Sequence, residues 1–163
     1  MSYQLTVNGR VTEVDVPGAT SLAHALREHL HLRGAKIACG SGRCGSCTVR
    51  LGDRTVASCL LPVALAEDEP ITTVEGLSAP DGPLHPVQEA MVACHGVQCG
   101  ACTPGMVMTL HTFLDTVSQP DAGQVREALT GNLCRCTGYH TIVDAALTAA
   151  AALPTPNPRE DRP

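Results

Sequence analysis

The chain has 163 residues, room for one ordinary domain or two small ones, and an apolar fraction of 44% marks it as globular rather than disordered. Aromatic residues are only 2% of it (Tyr3, Phe113 and Tyr139, with no tryptophan), so a core of Ala, Val and Leu needs a further source of stability, and nine cysteines offer one. A formal charge of −5 with no basic run argues against nucleic-acid binding, and the longest apolar stretch, Ile142–Leu153, is interrupted by Asp144 and too short for membrane insertion.

The first half reads as strands around one helix. Gln4–Val7 and Val11–Val16 flank Asn8-Gly9, a two-residue hairpin signal, and Pro17-Gly18 ends the hairpin. A helix is expected from Ser21 to Leu30, with Leu22, Leu26 and Leu30 on one face. Thr48–Leu51 and Arg54–Ala57 form a second hairpin around Gly52-Asp53. A short helix at Leu61–Ala66 and a strand at Ile71–Val74 follow. The run EGLSAPDGP, Glu75–Pro83, has the composition of a linker.

The second half contains helices and no convincing strand. Pro86–Cys94, Pro104–Val117, Asp121–Leu129 and Tyr139–Leu153 have helical spacing. Asp121 with Gln124 has the form of a capping pair, and Pro104 suits a first turn. Residues 154–163, rich in proline and charge, read as a tail. The fold class is therefore α+β. The N-terminus enters the first strand directly, with no signal-peptide pattern, so the expected location is cytoplasmic. In a reducing compartment, clustered cysteines serve as metal ligands more often than as disulfides.

Cys39, Cys44, Cys47 and Cys59 have the C-x4-C-x2-C plus one spacing of a plant-type [2Fe–2S] site. The small residues between them let peptide N–H groups turn toward anionic sulfurs. A zinc loop is the competing reading, at a spacing unusual for structural zinc. Gly40-Ser41-Gly42-Arg43-Cys44-Gly45 also matches G-x-G-x-x-G, but a strand follows it rather than the helix a dinucleotide needs. The second group offers five cysteines, Cys94, Cys99, Cys102, Cys134 and Cys136, for four ligand places. Cys94 continues the helical stripe of Val87, Ala90 and Met91, so it reads as core. The other four precede helix starts, where backbone dipoles favour an anionic cluster. Thr48 and Thr103 stand where covalent haem attachment would need His.

Four stretches, CGSGRCGSCTV (Cys39–Val49), SCLLPV (Ser58–Val63), QCGACTPGM (Gln98–Met106) and GNLCRCTGY (Gly131–Tyr139), resemble the small iron–sulfur subunit of the molybdenum hydroxylase (xanthine oxidase) family. TTVEGL and LHPVQEA extend the likeness over nearly everything from Tyr3 to Ala152. The resemblance implies a β-grasp, plant-type ferredoxin-like domain over residues 1–76, a linker at 77–83 and a four-helix domain over 84–153, with one [2Fe–2S] cluster in each domain. It implies the ligand sets Cys39, Cys44, Cys47, Cys59 and Cys99, Cys102, Cys134, Cys136, with Gln98 and Cys136 beside a pterin. It also implies a large partner subunit holding a molybdopterin cofactor, an FAD on a medium subunit or an external acceptor, and an aldehyde or N-heterocycle as substrate. The family commonly has Phe where Ala101 stands, and its motif does not ask for Cys94. A free-standing, diffusible ferredoxin is the alternative, and the helical half argues against it.

Overall fold

The computed structural model describes residues 1–154; of the expected tail, positions 155–163 lie outside the described residues. Strands β1 (Ser2–Val7) and β2 (Arg10–Asp15) pair antiparallel with Val7 opposite Arg10. Asn8 and Gly9 between them both have positive φ, 50° and 76°. A two-residue turn needs this to match the strand twist. Strands β3 (Thr48–Leu51) and β4 (Arg54–Ala57) form the second hairpin, and β5 (Ile71–Thr72) lies between β1 and β3. It runs parallel to β1 and antiparallel to β3, giving the order β2-β1-β5-β3-β4.

Helix α1 (Leu22–His24) is capped by Ser21, whose hydroxyl accepts the His24 N–H, and it widens into a π turn at Ala25–His29. The expected regular helix over Ser21–Leu30 is thus loosened in its second half. Leu22 and Leu26 are both fully buried, and Leu30 and Leu32 pack at the edge of the same core. That core also contains Leu5, Val7, Val14, Val49, Leu51 and Ile71 from the strands. The expected helix at Leu61–Ala66 is a single 3-10 turn, Val63–Leu65. Strand β5 is shorter than expected because the Thr73 N–H goes to Asn8 Oδ1, after which Val74–Gly76 forms another 3-10 turn.

Four helices follow: α2 (Pro86–Ala93), α3 (Thr103–Leu114), α4 (Ala122–Ala128) and α5 (His140–Ala152). Asp121 and Gln124 form the reciprocal cap of α4, as expected. The cap of α2 was not anticipated: His85 accepts the Val87 N–H through Nδ1 at 3.2 Å. Their shared core holds Met91, Met106, Leu110, Leu129 and Ile142, with Ala145, Ala146 and Ala149 of α5 fully buried or nearly so. Methionine and leucine do the filling that aromatics do elsewhere. The fold is α+β, and among the described residues no helix is long and apolar enough to cross a membrane.

The two cores meet where α3 packs on β3. Cys47 lies just before β3, and Cys102 is the N-cap of α3. The elements that join the cores therefore start at the two cysteine groups.

Candidate iron–sulfur sites

The first group sits in an irregular loop between α1 and β3, with Cys59 beyond β4. Gly40, Gly42 and Gly45 have φ of 62°, 70° and 68°, which turns successive N–H groups inward. The N–H groups of Ser41 and Arg43 both point at Cys39 Sγ, each at 3.4 Å. They and the Cys44 N–H hold the exposed Cys39 thiol down to about 5. Cys47 is buried, and burial pushes its thiol up to about 11. Fully buried Ser58 donates through Oγ to the Cys47 carbonyl at 2.6 Å, fixing Cys59 beside Cys47.

The second group is assembled from two loops. Cys99 and Cys102 precede α3, while Cys134 and Cys136 precede α5. Cys136 and Cys99, both exposed, are 3.6 Å apart at sulfur. The Ala101 N–H and the Cys136 thiol lower the Cys99 thiol, and the same contact raises Cys136. Burial pushes Cys102 up to about 12. Burial also acts to raise Cys134, but the Thr137 hydroxyl, 3.1 Å from its sulfur, and nearby N–H groups outweigh it and lower the thiol. Tyr139 holds this loop in shape: its Oη accepts the Cys134 N–H at 2.9 Å and donates to the Asn132 carbonyl at 3.0 Å.

Six of the eight thiols meet in twos: Cys47 with Cys59, Cys99 with Cys136, and Cys102 with Cys134. Among the described residues, no three His, Cys, Asp or Glu side chains gather around one ion-sized point. Two thiolates about 2.3 Å from a tetrahedral metal stand roughly 3.8 Å apart, close to the Cys99–Cys136 separation. A cluster of two irons with four thiolates needs two thiols per iron, and this donor set fits it. The buried thiols would give up their protons to a bound metal despite their raised values.

Direct bonds join the two groups. The Leu133 N–H donates to the Cys44 carbonyl at 2.9 Å. Buried Asn132 reaches the Gly45 carbonyl with Nδ2 at 3.3 Å, while its Oδ1 accepts from Thr109 at 2.9 Å. Lys36 Nζ donates to the Gly100 carbonyl at 2.5 Å. Further along the contact, the Arg50 guanidinium of β3 pairs with Asp115 and lies 3.3 Å from His111 Nε2. Reading the sequence missed Lys36, Asn132 and Arg50, whose partners are all remote in the chain. Only the position of Asn132 within GNLCRC carries a local signal. Gln98 is exposed beside Cys99. Cys94 ends α2 half-buried, with Sγ 3.6 Å from Thr148 Oγ1, packed at the margin of the helical core rather than in its centre.

Residues 5–77 match the family described as the 2Fe-2S iron-sulfur cluster binding domain, and residues 73–147 match the [2Fe-2S] binding domain family. The chain is 42% identical to a chain of quinoline 2-oxidoreductase from Pseudomonas putida 86, with a TM-score of 0.89. The match covers 93% of this chain and 94% of that one. The chain belongs to the molybdenum hydroxylase family, as its iron–sulfur part. Aldehyde oxidoreductase from Desulfovibrio gigas is also similar, at a TM-score of 0.87 and 39% identity, covering 93% of this chain but 17% of that one. Human aldehyde oxidase is 45% identical over 153 residues, 87% of this chain. This chain spans 11% of the length of that relative. Two [2Fe–2S]-binding regions in one chain of this family mark an electron-transferring part of an oxidoreductase rather than a free ferredoxin.

Proposed function

We propose that residues 1–76 and 84–153 form two domains joined by 77–83, a ferredoxin-like one and a four-helix one, each holding one [2Fe–2S] cluster. Cys39, Cys44, Cys47 and Cys59 hold the first, and Cys99, Cys102, Cys134 and Cys136 the second. When bound, each cluster supplies a site that takes up and returns one electron. The protein's part is to hold the thiolates, exclude water from Cys47 and Cys102, and keep the two sites in fixed register. The observation that carries this reading is the Leu133–Cys44 hydrogen bond, which links the two ligand loops directly.

The large partner holds a molybdopterin-bound molybdenum centre, and the complex oxidises an aldehyde or an N-heterocycle in the cytoplasm. Electrons enter at the second site and leave from the first, toward FAD on a medium subunit or an external acceptor. Gln98 and Cys136 face the pterin: both are exposed, and Cys136 touches Cys99. The Gln98 amide offers two donors and an acceptor, suited to pterin ring nitrogens and exocyclic groups. Exposed Val97 and Leu133 flank them and suit burial against a partner. Gln98→Ala in the assembled complex tests this. Iron content stays intact while reduction by substrate slows; unchanged reduction would remove Gln98 from the route.

A further inference from the structure

Lys36 is the only lysine in the chain, and neither ligand set nor fold explains its position. It lies three residues before Cys39 and is half-buried. Its backbone N–H donates to the Ser46 carbonyl at 3.0 Å, inside the first cysteine loop. Its Nζ crosses to the Gly100 carbonyl at 2.5 Å, between Cys99 and Cys102. Among the described residues it has no carboxylate partner; the ion pairs there are Met1 with Asp15, Arg50 with Asp115 and Arg54 with Glu69. An ammonium offers three donors. One carbonyl uses a single donor, and among the described residues no anionic side chain balances the charge.

We propose that Lys36 is an electrostatic tuning residue: its ammonium, held between the two cysteine loops, raises the reduction potential of the second cluster and, less strongly, of the first. The proposal rests on reading the loops as cluster sites. Reducing a [2Fe–2S] cluster adds one electron and therefore one negative charge. A fixed cation nearby stabilises the reduced form more than the oxidised one. The second cluster feels it more because the Gly100 carbonyl stands between two of that cluster's ligands. A half-buried site screens the charge less than open solvent does, so the effect survives at moderate salt.

A purely mechanical role, strapping the loops together, predicts something different. A strap that fails changes cluster content or stability, and any long donor restores it. Tuning instead requires a positive charge. The test uses the full chain with its clusters loaded, titrated with dithionite as reductant while each cluster's one-electron signal is followed by electron paramagnetic resonance. Lys36→Met and Lys36→Gln should weaken reduction of the second cluster about tenfold, equivalent to about 59 mV for one electron. The first cluster should shift less, and Lys36→Arg should stay near wild type. Equal potentials in wild type and Lys36→Met at equal iron content would overturn the proposal. So would a Lys36→Gln protein that behaves as wild type.

If Lys36→Met loses iron, the loaded wild-type protein can be acetylated with an N-hydroxysuccinimide ester. This forms an amide at Nζ, releases N-hydroxysuccinimide and removes the charge after assembly. Lys36→Arg treated alike accounts for the N-terminal amine. A potential unmoved by acetylation of Lys36 also overturns the proposal. A wild-type protein with no iron–sulfur signal would refute the cluster reading itself, a failure visible before any variant is compared.

Discussion

Gly105 in the first turn of α3 presses against the backbone of Gly45 in the first cysteine loop: a Cβ at Gly105 would stand 2.0 Å from the Gly45 carbonyl oxygen. That distance is far inside van der Waals contact, and the obstacle is backbone rather than a flexible side-chain end. Gly45 is itself constrained, with φ of 68° and the Gly131 carbonyl 2.5 Å from where its own Cβ would be. Two glycines are therefore what allow the two cysteine groups to approach each other. Gly105→Ala should cost about 1–3 kcal/mol through forced displacement. Chemical denaturation measures it, and an unchanged midpoint would mean the loop yields freely.

Asn132 supports the same contact with hydrogen bonds instead of shape. Asn132→Ala removes two hydrogen bonds, that from Nδ2 to the Gly45 carbonyl, which keeps the Thr48 N–H and hydroxyl as donors, and that from the Thr109 hydroxyl to Oδ1. The expected loss is about 1–3 kcal/mol. Asn132→Asp should also destabilise, because a carboxylate would meet the Gly45 carbonyl oxygen in place of a donor. A neutral outcome for both substitutions would show that the bonds are dispensable.

Cys94 and Cys99 test which of the five cysteines stands outside the four-ligand set. Cys94→Ser should keep full iron, since its sulfur meets Thr148 rather than another thiol. Cys99→Ser should lose about half the iron, that of one cluster of two. Iron and sulfide assays decide between these. The reversed pattern would move the ligand place to Cys94.

Acid should weaken the fold through His85 and His111, whose rings lie 4.7 Å apart edge to face. Burial lowers both imidazoles from their ordinary 6.5; Asp115 acts to raise them, while Arg50 and His85 lower His111 further. The neutral rings are in use: His85 Nδ1 accepts the Val87 N–H, and His111 Nε2 faces the Arg50 guanidinium. Below 6.5 the unfolded chain therefore binds more protons than the folded one. Stability is full above that value and declines as pH falls from 6.5 through the lower folded-state values. His85→Asn keeps an acceptor at the α2 cap without titrating there. Combined with His111→Gln, it should flatten the fall in denaturation midpoint between about pH 8 and about pH 5.5. An equal fall in wild type and double variant would assign the acid sensitivity elsewhere.

What was legible in the sequence was local. Asn8-Gly9 specified its turn because both positions need positive φ, and Asp121 with Gln124 specified a helix start because each bonds the other's backbone. The cysteine groups stood out because Cys39, Cys44 and Cys47, then Cys99 and Cys102, then Cys134 and Cys136, are each close-spaced within one loop. What escaped depended on partners far along the chain. Strand β5 ends early because Asn8 claims the Thr73 N–H, and nothing within Ile71–Val74 announces that. The π turn at Ala25–His29 has the same leucine spacing as a regular helix. His85 is an uncommon capping residue, so its role was not readable from type. Lys36, Arg50 and Asn132 join the halves through contacts that only the packing of α3 on β3 brings within reach.

Counting iron and acid-labile sulfide per chain, together with the paramagnetic signals after dithionite reduction, tests the central claim most directly. Two groups of four cysteines predict about four irons, about four sulfides and two distinct one-electron signals. A colourless protein holding zinc without sulfide, or one with iron for a single cluster, would contradict it.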